Sequence, residues 1–170
     1  MSLIGGTYFD KVPVIIPIGS TDNRQQYIDY YEPKVIRDLF GYSLGSEILA
    51  YTAGSDQRIK DIVEGKEYQL NGKTEKWHGL KDETTKISLI AFFVYYWWQR
   101  KNVTKTTTNG EVLLVNENSV KVTPAVKVQD AWNKYEEQVI SLNAFISVNS
   151  GVYPEFESTD LSESVNAFDL

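Results

Sequence analysis

A chain of 170 residues fits one domain, and a domain of that size buries roughly 70% of its unfolded surface without help from disulfides or metals. It has no cysteine, which excludes disulfide frameworks, thiolate metal sites and cysteine nucleophiles. It has one histidine, which excludes any site built on two histidine ligands. The net charge is −6, and it is concentrated at the end: from Ser150 onward there are five acids and no Lys or Arg, while the other 18 acids nearly balance 17 bases. Nothing in that balance neutralises phosphates as a sequence-independent DNA binder must.

In chain order, residues 1–19 carry Val12, Val14, Ile15, Ile16 and Ile18 with prolines at 13 and 17. β-Branched residues favour extended backbone and each proline removes a ladder donor, so this predicts an extended N-terminal arm or edge strand. No basic stretch followed by an apolar run opens the chain, so secretion is not expected. Ser20, Thr21 and Asp22 offer N-cap oxygens to a helix over 22–31. Pro33 sits where a second helical segment can begin. Gly41 and Gly45 break that segment, and Ser55 or Asp56 caps a short piece that ends at Gly65.

Over 67–79, Tyr68 and Leu70 alternate with polar residues, then Asn71-Gly72 precedes Trp77, which predicts a tight hairpin. The 81–101 segment predicts the central helix, begun by Asp82 or Thr84, with Ile87, Ile90, Val94 and Trp98 on its core face. Aromatic residues fill the rest, so it is buried on most sides. Its apolar run, 87–98, falls short of the ~20 residues a membrane span needs. Residues 102–123 are Thr- and Val-rich around Asn109-Gly110, which predicts a β-excursion between two helices. From Pro124 the stripe Ala125, Val128, Trp132, Tyr135, Val139, Leu142, Ile146 repeats at helical spacing and predicts a long helix over 124–149. Trp132, Tyr135, Val139 and Leu142 are candidate core. After Gly151 the pattern dissolves into an acidic tail.

The expected fold is mainly α: a helical bundle around two long helices with one or two β-hairpin excursions. It has an arm at 1–19, a body at 20–149 and a tail at 150–170. No catalytic, metal or cofactor residue is assigned. His78 stands alone in Trp77-His78-Gly79 with no nucleophile in sequence reach to suggest an enzyme. Glycine spacings do not match a phosphate loop. The elements left over for partners are the arm (Val14, Ile16), the excursion (Thr106, Asn109, Val112, Leu114) and the tail (Tyr153, Phe156, Leu161, Phe168).

One family shares this order of elements. Tyr27-Ile28-Asp29-Tyr30-Tyr31-Glu32-Pro33-Lys34 leads into Val35-Ile36-Arg37-Asp38-Leu39-Phe40-Gly41. Phe93-Val94-Tyr95-Tyr96-Trp97-Trp98, a Thr-Asn-Gly excursion and Ala131-Trp132-Asn133-Lys134-Tyr135 follow. Over residues 20–148 the chain resembles the small head–tail connector, or adaptor, proteins of tailed bacteriophages, nearest in kind to phages of Bacteroides-like hosts. The resemblance implies a non-enzymatic virion protein, found in the host cytoplasm during assembly. It implies a ring, typically of twelve copies, between the portal and the next tail or neck protein. It implies no cofactor, no membrane, and DNA passing through the channel without specific binding; an acidic protein suits such a channel. Alternatives are another neck or tail-completion component, a non-viral protein-interaction module with an acidic tail, and a small cytosolic enzyme using His78.

Overall fold

In the computed structural model, which describes residues 2–10, 24–102, 104–107, 110–113 and 124–156, a 3-10 turn (Gly6–Phe9) comes first. It is followed by α1 (Arg24–Leu49), α2 (Gln57–Glu64), β1 (Lys66–Leu70), β2 (Lys73–Trp77), α3 (Leu89–Asn102), β3 (Thr104–Thr107), β4 (Gly110–Leu113) and α4 (Pro124–Val148). The fold is mainly α, with two antiparallel two-stranded ladders. No helix among the described residues is long and apolar enough to cross a membrane.

Helix α3 is the centre. Its first eight residues, 89–96, are all buried, so neighbours must enclose it on every side. Helix α4 lies antiparallel against it: Phe93 meets Tyr135 and, one turn on, Tyr96 meets Trp132, with ring centroids 5.4 and 4.9 Å apart. The candidate core residues Ile90, Val94, Tyr135, Val139 and Leu142 are buried. Trp98 and Trp132 are half-buried at the margin.

Ile87 is not core. It is 42% exposed because α3 starts at Leu89, eight residues later than 81–101 predicts. The Asp82 carboxylate accepts N–H bonds from Thr84 and Thr85, and Lys86 takes a positive φ of 59°. Asp82 thus builds a turn of its own instead of a helix start. Ser88 is the real cap: its hydroxyl donates to the Leu80 carbonyl and accepts from Ala91 N–H.

The prolines and glycines of α1 also act differently from expectation. The helix continues through Pro33, because Asp29, whose carbonyl loses its helical donor, is exposed to water. The break is at Gly41 (φ 70°, ψ −175°), which splits α1 into two pieces. Gly45 then lies against the backbone of Ile36 and Arg37: a Cβ there would meet the Ile36 carbonyl at 3.4 Å.

The hairpin β1–β2 turns at Asn71 and Gly72, both with positive φ, as the Asn-Gly pair predicts. Tyr68 and Trp77 bring it onto Phe145 of α4, and the Trp77 indole donates to the Ile62 carbonyl of α2. Beside it, Gly65 and Gly79 pass backbone to backbone. A Cβ on Gly65 would stand 2.4 Å from the Trp77 carbonyl oxygen, and one on Gly79 would stand 2.6 Å from the Val63 carbonyl oxygen.

The chain's two flanks are not free. Residues 2–10 belong to the core rather than to an arm: Leu3, Ile4, Tyr8 and Phe9 are buried. The Glu32 carboxylate, itself 2% exposed, accepts the N–H groups of Leu3 and Ile4. At the other flank Tyr153 and Phe156 do not await a partner. Tyr153 is 2% exposed, packs on Phe145 and donates its hydroxyl to the Arg58 carbonyl. Phe156 is half-buried against Phe40, and Glu155 pairs with Arg58. Tyr153 thus bridges α4 and α2, while Phe156 reaches α1.

Two stability predictions follow from these contacts. Gly65→Ala and Gly79→Ala should each cost about 3 kcal/mol or more, since backbone must move to admit the methyl. Gly151→Ala, with nothing within 4 Å, should stay within about 0.5 kcal/mol in chemical denaturation. Burial raises the Glu32 pKa, against the pull of its two backbone donors. A carboxyl raised on folding stabilises most below its unfolded value of about 4.3 and loses that contribution as pH rises through the folded value. The unfolding free energy of wild type minus that of Glu32→Gln should therefore fall as pH rises from about 4 to neutrality.

Candidate assembly interface

Two surface features merit comparison. The first is a polar cleft of about 270 Å³ around His78, with Glu64, Lys76, Lys81, Asp82, Glu83 and Thr84. His78 Nδ1 lies 3.7 Å from Asp82 Oδ2, beyond hydrogen-bond reach, so the imidazole is not held by a third group as a general base requires. Burial works to raise the Asp82 pKa, but its bonds to Thr85 and Thr84 hold it below the usual range. Glu64 is committed too, accepting from Tyr51, whose phenol it pushes up to about 12. Asp82 and Glu64 are thus both engaged in bonds within the fold. Among the described residues no cluster of three or more His, Asp or Glu is placed to hold a metal.

The second feature is aromatic. The first two turns of α1 bring Tyr27, Tyr30 and Tyr31 to the end of α3. Tyr27 stacks on Tyr31 at 6.0 Å, one helical turn on, and Tyr31 stacks on Trp97 at 5.6 Å with planes 7° apart. Tyr30 stands edge-on to Tyr31 at 4.9 Å and is 69% exposed. Behind them Phe93, Tyr96 and Trp132 continue the stack into the core. Arg100 lies over both Trp97 and Tyr96, and donates to the Tyr96 hydroxyl. With Lys101 it also complements the negative end of the α3 dipole. A shallow groove of about 200 Å³ opens here, lined by Gln26, Tyr27, Tyr30, Tyr31 and Lys101.

Two segments singled out by sequence leave the body beside this groove. Arg24, at the start of α1, ion-pairs with Asp10 at 2.9 Å, so the chain exits at residue 10 and returns at residue 24 in one place. The β3–β4 ladder follows α3 directly after Lys101, pairing Thr106 with Glu111 and Lys105 with Val112. Val14, Ile16, Asn109, Leu114, Leu161 and Phe168 lie outside the described residues. Of the partner candidates only Thr106, Val112, Tyr153 and Phe156 fall within the described residues, and the groove itself was not among the residues singled out. The clue was present as Tyr27-x-x-Tyr30-Tyr31, a tyrosine pair at i, i+4 with a third beside it.

Among protein-family models, curated proteins and solved structures, none matches this chain.

Tyr31 touches four other rings and is 5% exposed, so Tyr31→Ala should cost about 3–5 kcal/mol in urea denaturation. Tyr30→Ala should change stability by about 0.5 kcal/mol or less, which makes it a clean probe of the surface.

Proposed function

We propose that this chain is a structural subunit of a tailed-phage neck, a head–tail connector that assembles as a ring, most simply of twelve copies, between the portal and the next tail protein. The observation that carries this reading is the gathering of its excursions at one aromatic face. The chain leaves and re-enters the body at Asp10 and Arg24, three residues before Tyr27, and leaves it again at the end of α3, just past the groove residue Lys101. A ring subunit needs such a face, because each copy must present distinct, complementary surfaces to its two neighbours. Tyrosine, tryptophan and arginine are the residues that concentrate energy at protein interfaces.

The rest of the chain suits the role. Its helical body is braced at both flanks, and its net charge of −6 opposes sticking to DNA moving through a channel. The same features would serve another neck or tail-completion protein, and partner identity separates the two.

The test is electron microscopy and native mass spectrometry of the purified chain mixed with the portal protein encoded beside it. A closed ring with twelvefold symmetry seated on the portal is the expected result. A chain that stays monomeric in light scattering with portal present sinks the proposal.

A further inference from the structure

We infer that Asn71, at the tip of the β1–β2 hairpin, is a site of spontaneous covalent modification, where the side-chain amide is lost and the chain ages into aspartate and isoaspartate forms. The co-reactant is water. Three observations lead to it.

The first is the pair itself. Asn71 is followed by Gly72, whose backbone nitrogen can turn back on the asparagine side chain. Glycine has no Cβ to obstruct that approach, and its backbone visits conformations closed to other residues. A Cβ built on Gly72 would find nothing within 4 Å, so no neighbouring element crowds the site.

The second is the freedom of both reacting groups. Asn71 and Gly72 are exposed. The hairpin ladder closes at Leu70 and Lys73 and leaves the two turn residues outside it. Neither the Asn71 amide nor the Gly72 N–H has a hydrogen-bond partner among the described residues.

The third is contrast with other asparagines. Asn133 lies in the middle of α4, where the N–H that follows it is bound into the helix. Asn149 precedes the small Ser150, but its amide nitrogen donates to the Phe145 carbonyl, and its backbone N–H is bonded to the carbonyls of Phe145 and Ile146. Groups held in such bonds are out of position for attack.

In the reaction the Gly72 nitrogen loses its proton to solvent and bonds to Asn71 Cγ. The Cγ–Nδ2 bond breaks, and the amide nitrogen takes up a proton and leaves as ammonia. A cyclic imide remains. Water then adds to one of its two carbonyls and breaks that carbonyl's bond to the Gly72 nitrogen. Cleavage at the side-chain carbonyl gives aspartate; cleavage at the main-chain carbonyl gives isoaspartate, whose backbone runs through Cβ. One water is consumed, one ammonia is released, and nothing is oxidised or reduced. Isoaspartate lengthens the connection between Leu70 and Lys73 by one backbone atom. A two-residue turn sets the register of its hairpin, so the modification loosens the pairing that carries Tyr68 and Trp77 onto Phe145.

The experiment ages the full-length wild-type chain in mildly alkaline buffer and follows it by peptide mapping, mass spectrometry and an isoaspartate methyltransferase assay. The peptide carrying Asn71 should exchange an amide for an acid and yield both products, while Asn133 and Asn149 react at least about tenfold more slowly. Asn109, in the other Asn-Gly pair, falls on a separate peptide and is read apart. Gly72→Ala should slow the loss at Asn71. Asn71→Asp carries the new charge on an unaltered backbone, so hairpin amides should exchange with solvent faster in the isoaspartate form than in this variant. An Asn71 that keeps its amide in the folded chain while losing it in the guanidinium-unfolded chain is shielded by its turn, and overturns the inference. Equal rates at Asn71, Asn133 and Asn149 overturn it as well. Hairpin exchange that is no faster in the isoaspartate form overturns the effect on register.

Discussion

A helix buried on every side imposes one requirement on everything else: the rest of the chain must wrap it. Residues 89–96 of α3 contain no position that faces water, and a large apolar side chain contributes roughly 1.5–3 kcal/mol when fully buried rather than exposed. Helix α4 covers one side and the first half of α1 another. The N-terminal turn, with Tyr8 and Phe9, packs into the same core. The enclosure ends after Tyr96. Trp97 and Trp98 are half-buried, and Arg100 lies over the rings that remain. The aromatic groove is the place where the wrapping runs out.

The flanks of the chain are held by side chains rather than by regular structure. Glu32 takes the place of a strand partner for Leu3 and Ile4, giving both N–H groups an acceptor inside the core. Arg58 does the corresponding work at the other flank. Its guanidinium joins Glu47 and Glu155, while its carbonyl accepts the Tyr153 hydroxyl. One residue thus ties α1, α2 and the segment after α4. Such ties join residues far apart in the chain and add to the buried side chains of each flank, whereas α3 and α4 share a long seam.

This division explains what the sequence revealed. The α4 stripe, the Asp56 cap on α2 and the Asn71-Gly72 turn are local patterns: cause and effect lie within a few residues, and each is found where it was read. The start of α3 was misread because Asp82 serves a cap and a turn equally well, and only the positive φ of Lys86 decides between them. The flanks were misread because their partners are remote. Leu3 meets Glu32 across 29 residues, and Tyr153 meets Arg58 across 95. Charge and composition label such a tail as solvated, and nothing local marks Tyr153 as core. The groove was hidden for the same reason, since its tyrosines and Lys101 come from separate helices.

The end of α3 carries an unusual share of aromatic and imperfectly paired groups. The buried Trp97 indole N–H has no acceptor among the described residues, which costs about 1–3 kcal/mol against the packing its ring contributes. Polar surface would have been the simple solution at the open end of α3. Instead α1 brings three tyrosines to it, of which Tyr31 is committed to packing and Tyr30 is left largely in water. Tyr30 packs one edge on Tyr31 and leaves most of its ring outside the core, so the enclosure of α3 thins out through an aromatic margin rather than a polar one.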